Sequence, residues 1–126
     1  MPRREYDLGA AELEVLKVLW DRGPVTVRAV MNHLHQAGRK PAYTTVQTVL
    51  TRLEQKGFVG SDKSDLAYVY RARISRERIS RSRLKTLLDQ LYDGAAGPLV
   101  LQLVKNQRLT PDEISELHQL IDRLDT

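Results

Sequence analysis

Apolar residues in the front of this chain return with the 3.6-residue period of an amphipathic helix, segment after segment. Ala11, Val15, Leu16, Val18, Leu19 and Trp20 give residues 10–21 a broad apolar face with Trp20 as a core anchor, and Gly23-Pro24 stops it. After a short extended piece at Val25, Thr26 caps a second helix to Gln36, built on Val27, Val30, Met31 and Leu34. Gly38-Arg39-Lys40-Pro41 is a tight turn into a third helix, where Val46, Val49, Leu50 and Leu53 fall at i, i+3, i+4 and i+7. Gly57 closes that helix. The period then drops to two. Phe58 to Ser61 and Leu66 to Arg71 read as strands around the polar residues Asp62 to Asp65. The alternation puts Leu66, Tyr68 and Tyr70 inward and Ala67, Val69 and Arg71 outward, so the tyrosines are expected in the core and not stacked on bases.

Helical spacing returns from Ser75, which caps a helix to about Asp93. Arg76, Arg78, Arg81 and Arg83 crowd its first two turns, and Leu84, Leu87, Leu88 and Leu91 form a stripe beyond them. Gly94 and Gly97-Pro98 break the chain. A run from Leu99 to Val104, including Leu101 and Leu103, is apolar on nearly every side. Thr110-Pro111-Asp112-Glu113 then opens a last helix with a capping box, followed by Ile114, Leu117, Ile121 and Leu124. Three short helices cannot cover this much leucine, so a second copy of the chain is the expected lid.

These elements predict a mainly α fold. Residues 1–73 form a winged helix-turn-helix domain of three helices and a β-hairpin wing, with residues 41–56 as the recognition helix. Residues 74–126 form a three-helix dimerisation domain.

Charge divides the chain in a similar place. Residues 1–83 carry 16 Lys/Arg against 9 Asp/Glu, while residues 84–126 carry 4 against 7. The basic front suits a polyanion, and the mildly acidic back suits protein contacts. With no cysteine there is no disulfide and no thiolate metal site, and the three histidines are too scattered for a metal centre. No cofactor is expected. The charged start MPRREYDLG leads into an amphipathic helix and no apolar run is long enough to span a bilayer, so a cytoplasmic protein without membrane insertion is expected. No nucleophile, base and orienter stand at recognisable spacing, which argues against an enzyme. His118 and Asp122, one helical turn apart, read as a solvated pair.

The polar side of the third helix carries the chemistry. Thr44, Thr48, Thr51 and Gln55 point away from the apolar stripe, flanked by Gln47 and Arg52. Threonine is a mediocre helix former, so helix stability did not choose this face. Short uncharged hydroxyls and amides suit the edges of base pairs.

The run Tyr43 to Leu53, with Lys56-Gly57-Phe58-Val59 and Ala67-Tyr68-Val69-Tyr70, resembles the penicillinase-repressor (BlaI/MecI) family of winged-helix transcriptional repressors. Leu13-Glu14-Val15-Leu16, Leu19-Trp20, Val27-Arg28-Ala29-Val30 and Leu91-Tyr92-Asp93-Gly94 extend the likeness over essentially the whole chain. The resemblance implies a homodimeric repressor on an inverted-repeat operator, with C-terminal helices intertwined between subunits. It also implies, for penicillin-responsive members, a membrane metalloprotease sensor whose pathway cleaves an Asn-Phe bond. Gln102-Leu103 stands at the matching place, a departure that leaves the β-lactam signal open. A copper-responsive branch uses a cysteine motif that this chain lacks.

On this reading Thr44, Thr45, Gln47, Thr48 and Thr51 enter the major groove, with Gln47 facing adenine, while Arg39, Lys40, Tyr43, Arg52, Lys63 and Arg71 hold phosphates. Leu84, Leu87, Leu88, Leu91, Leu99, Leu101, Leu103, Ile114, Leu117, Ile121 and Leu124 are the expected dimer contacts. The competing reading is a winged-helix protein-interaction module without sequence-specific DNA binding.

Overall fold

A computed structural model describes residues 7–124, so most of the charged start read above, residues 1–6, lies outside the described residues. Helix α1 spans Ala10–Arg22, strand β1 Val25–Thr26, α2 Val27–Gln36 and α3 Tyr43–Gln55. Strands β2 (Val59–Asp62) and β3 (Val69–Ala72) follow, then α4 (Arg76–Leu91), α5 (Ala96–Asn106) and α6 (Pro111–Leu124). The short extended piece at Val25 is a third strand, giving an antiparallel sheet in the order β1-β3-β2. This is the winged helix-turn-helix arrangement.

One core holds it together. Leu16, Val30, Val46, Leu50, Leu53 and Val59 are almost wholly buried, joined by Phe58, Tyr70 and Ile79, with Trp20 and Met31 packed at its margin. Helices α1, α2 and α3 bury the stripes their spacing predicts, except that Ala11 is exposed and Trp20 and Met31 are half-buried. Trp20 is only half-buried: its indole N–H donates to the Ile74 carbonyl at 2.8 Å, and the Arg76 guanidinium lies 5.3 Å above its ring. The cap of α2 forms as expected, with Thr26 Oγ1 accepting from the Ala29 amide at 3.2 Å.

The hairpin corrects two expectations. Leu66 is fully exposed and Tyr68 is 42% exposed, whereas Tyr70 is buried. Pairing begins only at Asp62 opposite Val69, so residues 63–68 form the wing loop and have no sheet face to alternate across. Tyr70 lies within the sheet, opposite both Ser61 and Val25, and its burial follows.

The chain divides into two compact units, Met1–Arg83 and Leu84–Thr126. Ile79 of α4 belongs to the core of the first unit, which carries that unit into the helix. Ser75 opens α4, its hydroxyl accepting from the Arg78 amide at 3.1 Å. The helix ends at Leu91, before Asp93: Asp93 and Gly94 take positive φ (51° and 83°), and the Gly94 amide reaches back to the Leu88 carbonyl at 2.9 Å. The bond spans six residues, one more than in a Schellman C-cap, with the two successive left-handed residues turning the chain out of the helix. Gly97-Pro98 does not break the chain as expected but lies in the first turn of α5. A proline there lacks only an N–H that the helix leaves unpaired anyway. In α6 the capping box is present, with Thr110 N to Glu113 Oε1 at 2.8 Å and Glu113 N to Thr110 Oγ1 at 3.1 Å.

Candidate nucleic-acid interface

Helix α3 is held from both ends and from below. Its buried stripe of Val46, Val49, Leu50 and Leu53 fixes which side faces out. At its start the turn after α2 is organised by Gly38 at φ 88° and by His35, whose ring nitrogen lies 2.9 Å from the Pro41 carbonyl. At its end Lys56 donates to Glu12 Oε1 and to the Asp7 carbonyl, both at 2.9 Å. Glu12 is 7% exposed and also accepts from the Gly9 amide at 2.9 Å. Burial pushes the Glu12 pKa up, but the Gly9 amide, the Lys56 hydrogen bond and charge, and Arg52 outweigh it and hold it below the ordinary glutamate value.

Everything opposite the stripe is accessible. Thr44, Thr45, Gln47, Thr48, Thr51 and Arg52 are all exposed on this one helix. Two of the threonines are locked. Thr48 Oγ1 donates to the Thr44 carbonyl and Thr51 Oγ1 to the Gln47 carbonyl, each at 2.9 Å. Each hydroxyl proton is therefore spent within the helix, leaving oxygen lone pairs and a methyl with a fixed χ1. This face can accept hydrogen bonds and touch apolar groups more readily than it can donate.

The cations flank it on two sides. Arg39 and Lys40 are exposed in the turn before α3, with Arg39 Nη2 3.5 Å from Glu14 Oε1. Tyr43 is 40% exposed at the first turn of α3, and the Arg28 guanidinium of α2 stands 5.4 Å from its ring centre. In the wing, Lys63 lies 3.8 Å from Glu54 of α3 and 5.6 Å from the Tyr68 ring centre. The Ser61 hydroxyl hydrogen-bonds Glu54 as well, so one acid ties β2 and the wing loop to the helix. Arg71 is exposed on β3. It runs with Arg73 across Gly60, where a Cβ would stand 3.0 Å from Arg73 Cδ and 3.5 Å from Arg71 Cζ. Asp62 closes the wing turn on Ser64; those hydrogen bonds, with help from Arg71, hold its carboxyl below the usual aspartate range.

The helix residues, the turn cations and the wing cations thus all belong to the first unit. Arg28, Arg73 and the Glu12–Lys56 pair were missed as parts of this arrangement. The Thr44/Thr48 and Gln47/Thr51 spacing of four residues was the available signal for the locked hydroxyls.

The expected dimer residues all lie in the second unit. Leu84, Leu91, Leu101, Leu103, Ile114, Ile121 and Leu124 are exposed, and Leu87, Leu88, Leu99 and Leu117 are half-buried. Neither α5 nor α6 has a buried residue. Gln102 and Leu103 are exposed in the middle of α5, with the Gln102 side chain accepting from the Tyr92 hydroxyl at 2.7 Å. Among the described residues no group of three or more His, Cys, Asp or Glu could hold a metal, and no helix is long and apolar enough to cross a membrane.

Several known proteins are similar to this chain. The penicillinase repressor of Staphylococcus aureus is 29% identical over 122 residues, covering 97% of this chain and 96% of that protein. The penicillinase repressor of Bacillus licheniformis is 30% identical over 112 residues, covering 89% and 87%. The solution structure of the DNA binding domain of the repressor BlaI superposes with a TM-score of 0.51 at 30% identity, covering 60% of this chain and 90% of that one. The RosR protein of H. salinarum, 18% identical with a TM-score of 0.51 over 93% of each chain, shares the fold. The penicillinase repressor family model matches residues 8–123, and the chain belongs to that family.

Proposed function

We propose that this chain is a DNA-binding transcriptional repressor that occupies an inverted-repeat operator as a homodimer. The observation that carries this reading is the exposed Thr/Gln face of α3, bordered by cations of the preceding turn and of the wing. Thr44, Thr45, Gln47, Thr48 and Thr51 face the base edges, with Gln47 bidentate to adenine and the threonine methyls on thymine methyls. Arg39, Lys40, Tyr43, Arg52, Lys63 and Arg71 meet phosphates and set the register. Repression is steric: the bound dimer blocks polymerase.

The exposed leucines of the second unit support the dimer, because such faces do not persist in water uncovered. Residues 74–126 act as the dimerisation region, residues 1–73 as the DNA-binding one. Pairing sets half-sites about one turn apart, roughly 10 base pairs, or a small multiple. Cleavage at Gln102-Leu103 by a protease of a sensor pathway would release the operator by destroying α5. Because the bond is inside a helix, that helix must open locally before a protease can take it.

The experiment is to select duplexes from a random pool with the full chain and measure affinity for the winner and a scrambled duplex across a salt series. A preferred pseudo-palindrome, bound with a steep salt dependence, is the expected result. Equal binding to both duplexes at every salt concentration would leave the protein-interaction module as the better reading.

A further inference from the structure

A cavity of about 310 Å³ opens beside α3, walled by Ala11 and Val15 of α1, Leu34 and Pro41 around the turn, and Val46 and Val49 of α3. That volume is at the lower end of the range in which small molecules bind. Its walls are apolar, and its polar groups are few: Glu14, Arg39 and Thr45. Arg39 meets Glu14 through a single long contact of 3.5 Å, and the two side chains remain 66% and 38% exposed. A guanidinium has five donors, so most of this fork is available to a second, better-placed acceptor. Lys40 beside it makes the turn net positive, which favours an anion over a cation at this opening.

We propose that this cavity binds a small carboxylate with an apolar body, such as an aryl or short acyl acid, and that its occupancy opposes DNA binding. The acid's body fills the space between α1 and α3, and its carboxylate takes the Arg39 fork. The antagonism rests on the DNA-binding reading above, because Arg39 and Thr45 line the cavity and also belong to the proposed DNA face. A guanidinium held by a ligand carboxylate is lost to phosphate, and the linkage is reciprocal: duplex weakens the acid by the same factor as the acid weakens the duplex.

The test titrates phenylacetate and octanoate, with 2-phenylethanol and 1-octanol as uncharged counterparts, into the ¹⁵N-labelled full chain. The acids should shift the amides of Ala11, Val15, Arg39 and Val49 saturably, and the alcohols should bind roughly tenfold more weakly, as the loss of a charge-assisted hydrogen bond implies. Ala11→Phe, which fills the cavity from an exposed position, should abolish the shifts; Arg39→Gln should erase the preference for acid over alcohol. Absence of saturable shifts at these amides, or shifts that persist in a folded Ala11→Phe protein, would overturn the site. If Ala11→Phe does not fold, an undiminished acid preference in Arg39→Gln overturns it instead. With the selected duplex present, saturating acid should weaken binding by roughly fivefold or more, the lower end of ordinary allosteric coupling. Acid that binds the cavity without changing duplex affinity overturns the antagonism, whereas a chain that binds no duplex even without acid overturns only the DNA reading.

Discussion

Lys56 Nζ lies 2.9 Å from Glu12 Oε1, so a nearly buried carboxylate at the start of α1 holds the cation that ends α3. The two residues are 44 positions apart, and their side chains are only 10% (Glu12) and 29% (Lys56) exposed. Glu12 also caps its own helix through Gly9, which makes one acid responsible for the start of one helix and the end of another.

Glu12→Gln should therefore destabilise the first unit by about 1–3 kcal/mol near neutral pH, since it leaves a partly buried ammonium without its counter-charge. The loss should depend on pH with a definite sign. The folded-state pKa of Glu12 is depressed, so its contribution is fully present above the unfolded value of about 4.3 and disappears as pH falls through the folded value. Urea midpoints of wild type and Glu12→Gln should differ at pH 7 and converge as pH is lowered from about 5 towards 3. A difference that stays constant over that interval would mean the ion pair contributes nothing.

The helices were legible because their burial is decided by local spacing: Val46, Val49, Leu50 and Leu53 had to share a face whatever they packed on. The capping residues Thr26, Ser75 and Thr110 were legible for the same reason, as each acts on an amide three residues away. Leu66 and Tyr68 were not, because strand alternation has meaning only where a partner strand exists, and Asp62 opposite Val69 is where pairing stops. Period two over the six residues from Leu66 to Arg71 does not say where a ladder ends. Glu12 with Lys56, and Arg28 with Tyr43, depend on how α1, α2 and α3 cross, which no spacing within one helix encodes. The polar face of α3 could be found from composition, but the direction of its hydroxyl protons needed the helix geometry.

Those spent protons make a sharp expectation for Thr48. Thr48→Val keeps the outward methyl and loses only a hydroxyl already bonded to the Thr44 carbonyl, so preference for the selected duplex over a scrambled one should be nearly unchanged. Thr48→Ser keeps the hydroxyl and loses the methyl, and should reduce that preference. Competition binding with both variants decides it: if Val is the more damaging change, the hydroxyl and not the methyl reads the DNA.

Gln47 and Arg52 are both exposed on α3, and in the proposed complex Gln47 reads a base while Arg52 holds a phosphate. Gln47→Ala should cost about 1–3 kcal/mol on the selected duplex and little on a scrambled one. Arg52→Ala should weaken both and lower the salt slope by about one. Equal losses on the two duplexes for Gln47→Ala would remove it from the list of readers.

The proposed dimer is best tested where a charge cannot damage the subunit's own packing. Ile121 is 53% exposed and Leu124 83% exposed, and α6 buries nothing within the subunit. Ile121→Asp should therefore leave the helical content of the chain intact while burying a carboxylate in any interface made from this face, a change that pairing cannot absorb without an opposite charge nearby. Sedimentation should show the variant as a monomer at concentrations where wild type is a dimer. Duplex binding should fall with it, because one recognition helix on one half-site loses the benefit of the second contact. A single half-site duplex should be bound equally by variant and wild type, which separates loss of pairing from loss of the DNA face. If Ile121→Asp sediments as a dimer, the interface lies elsewhere on the chain, and Leu101→Asp in α5 is the next position to test.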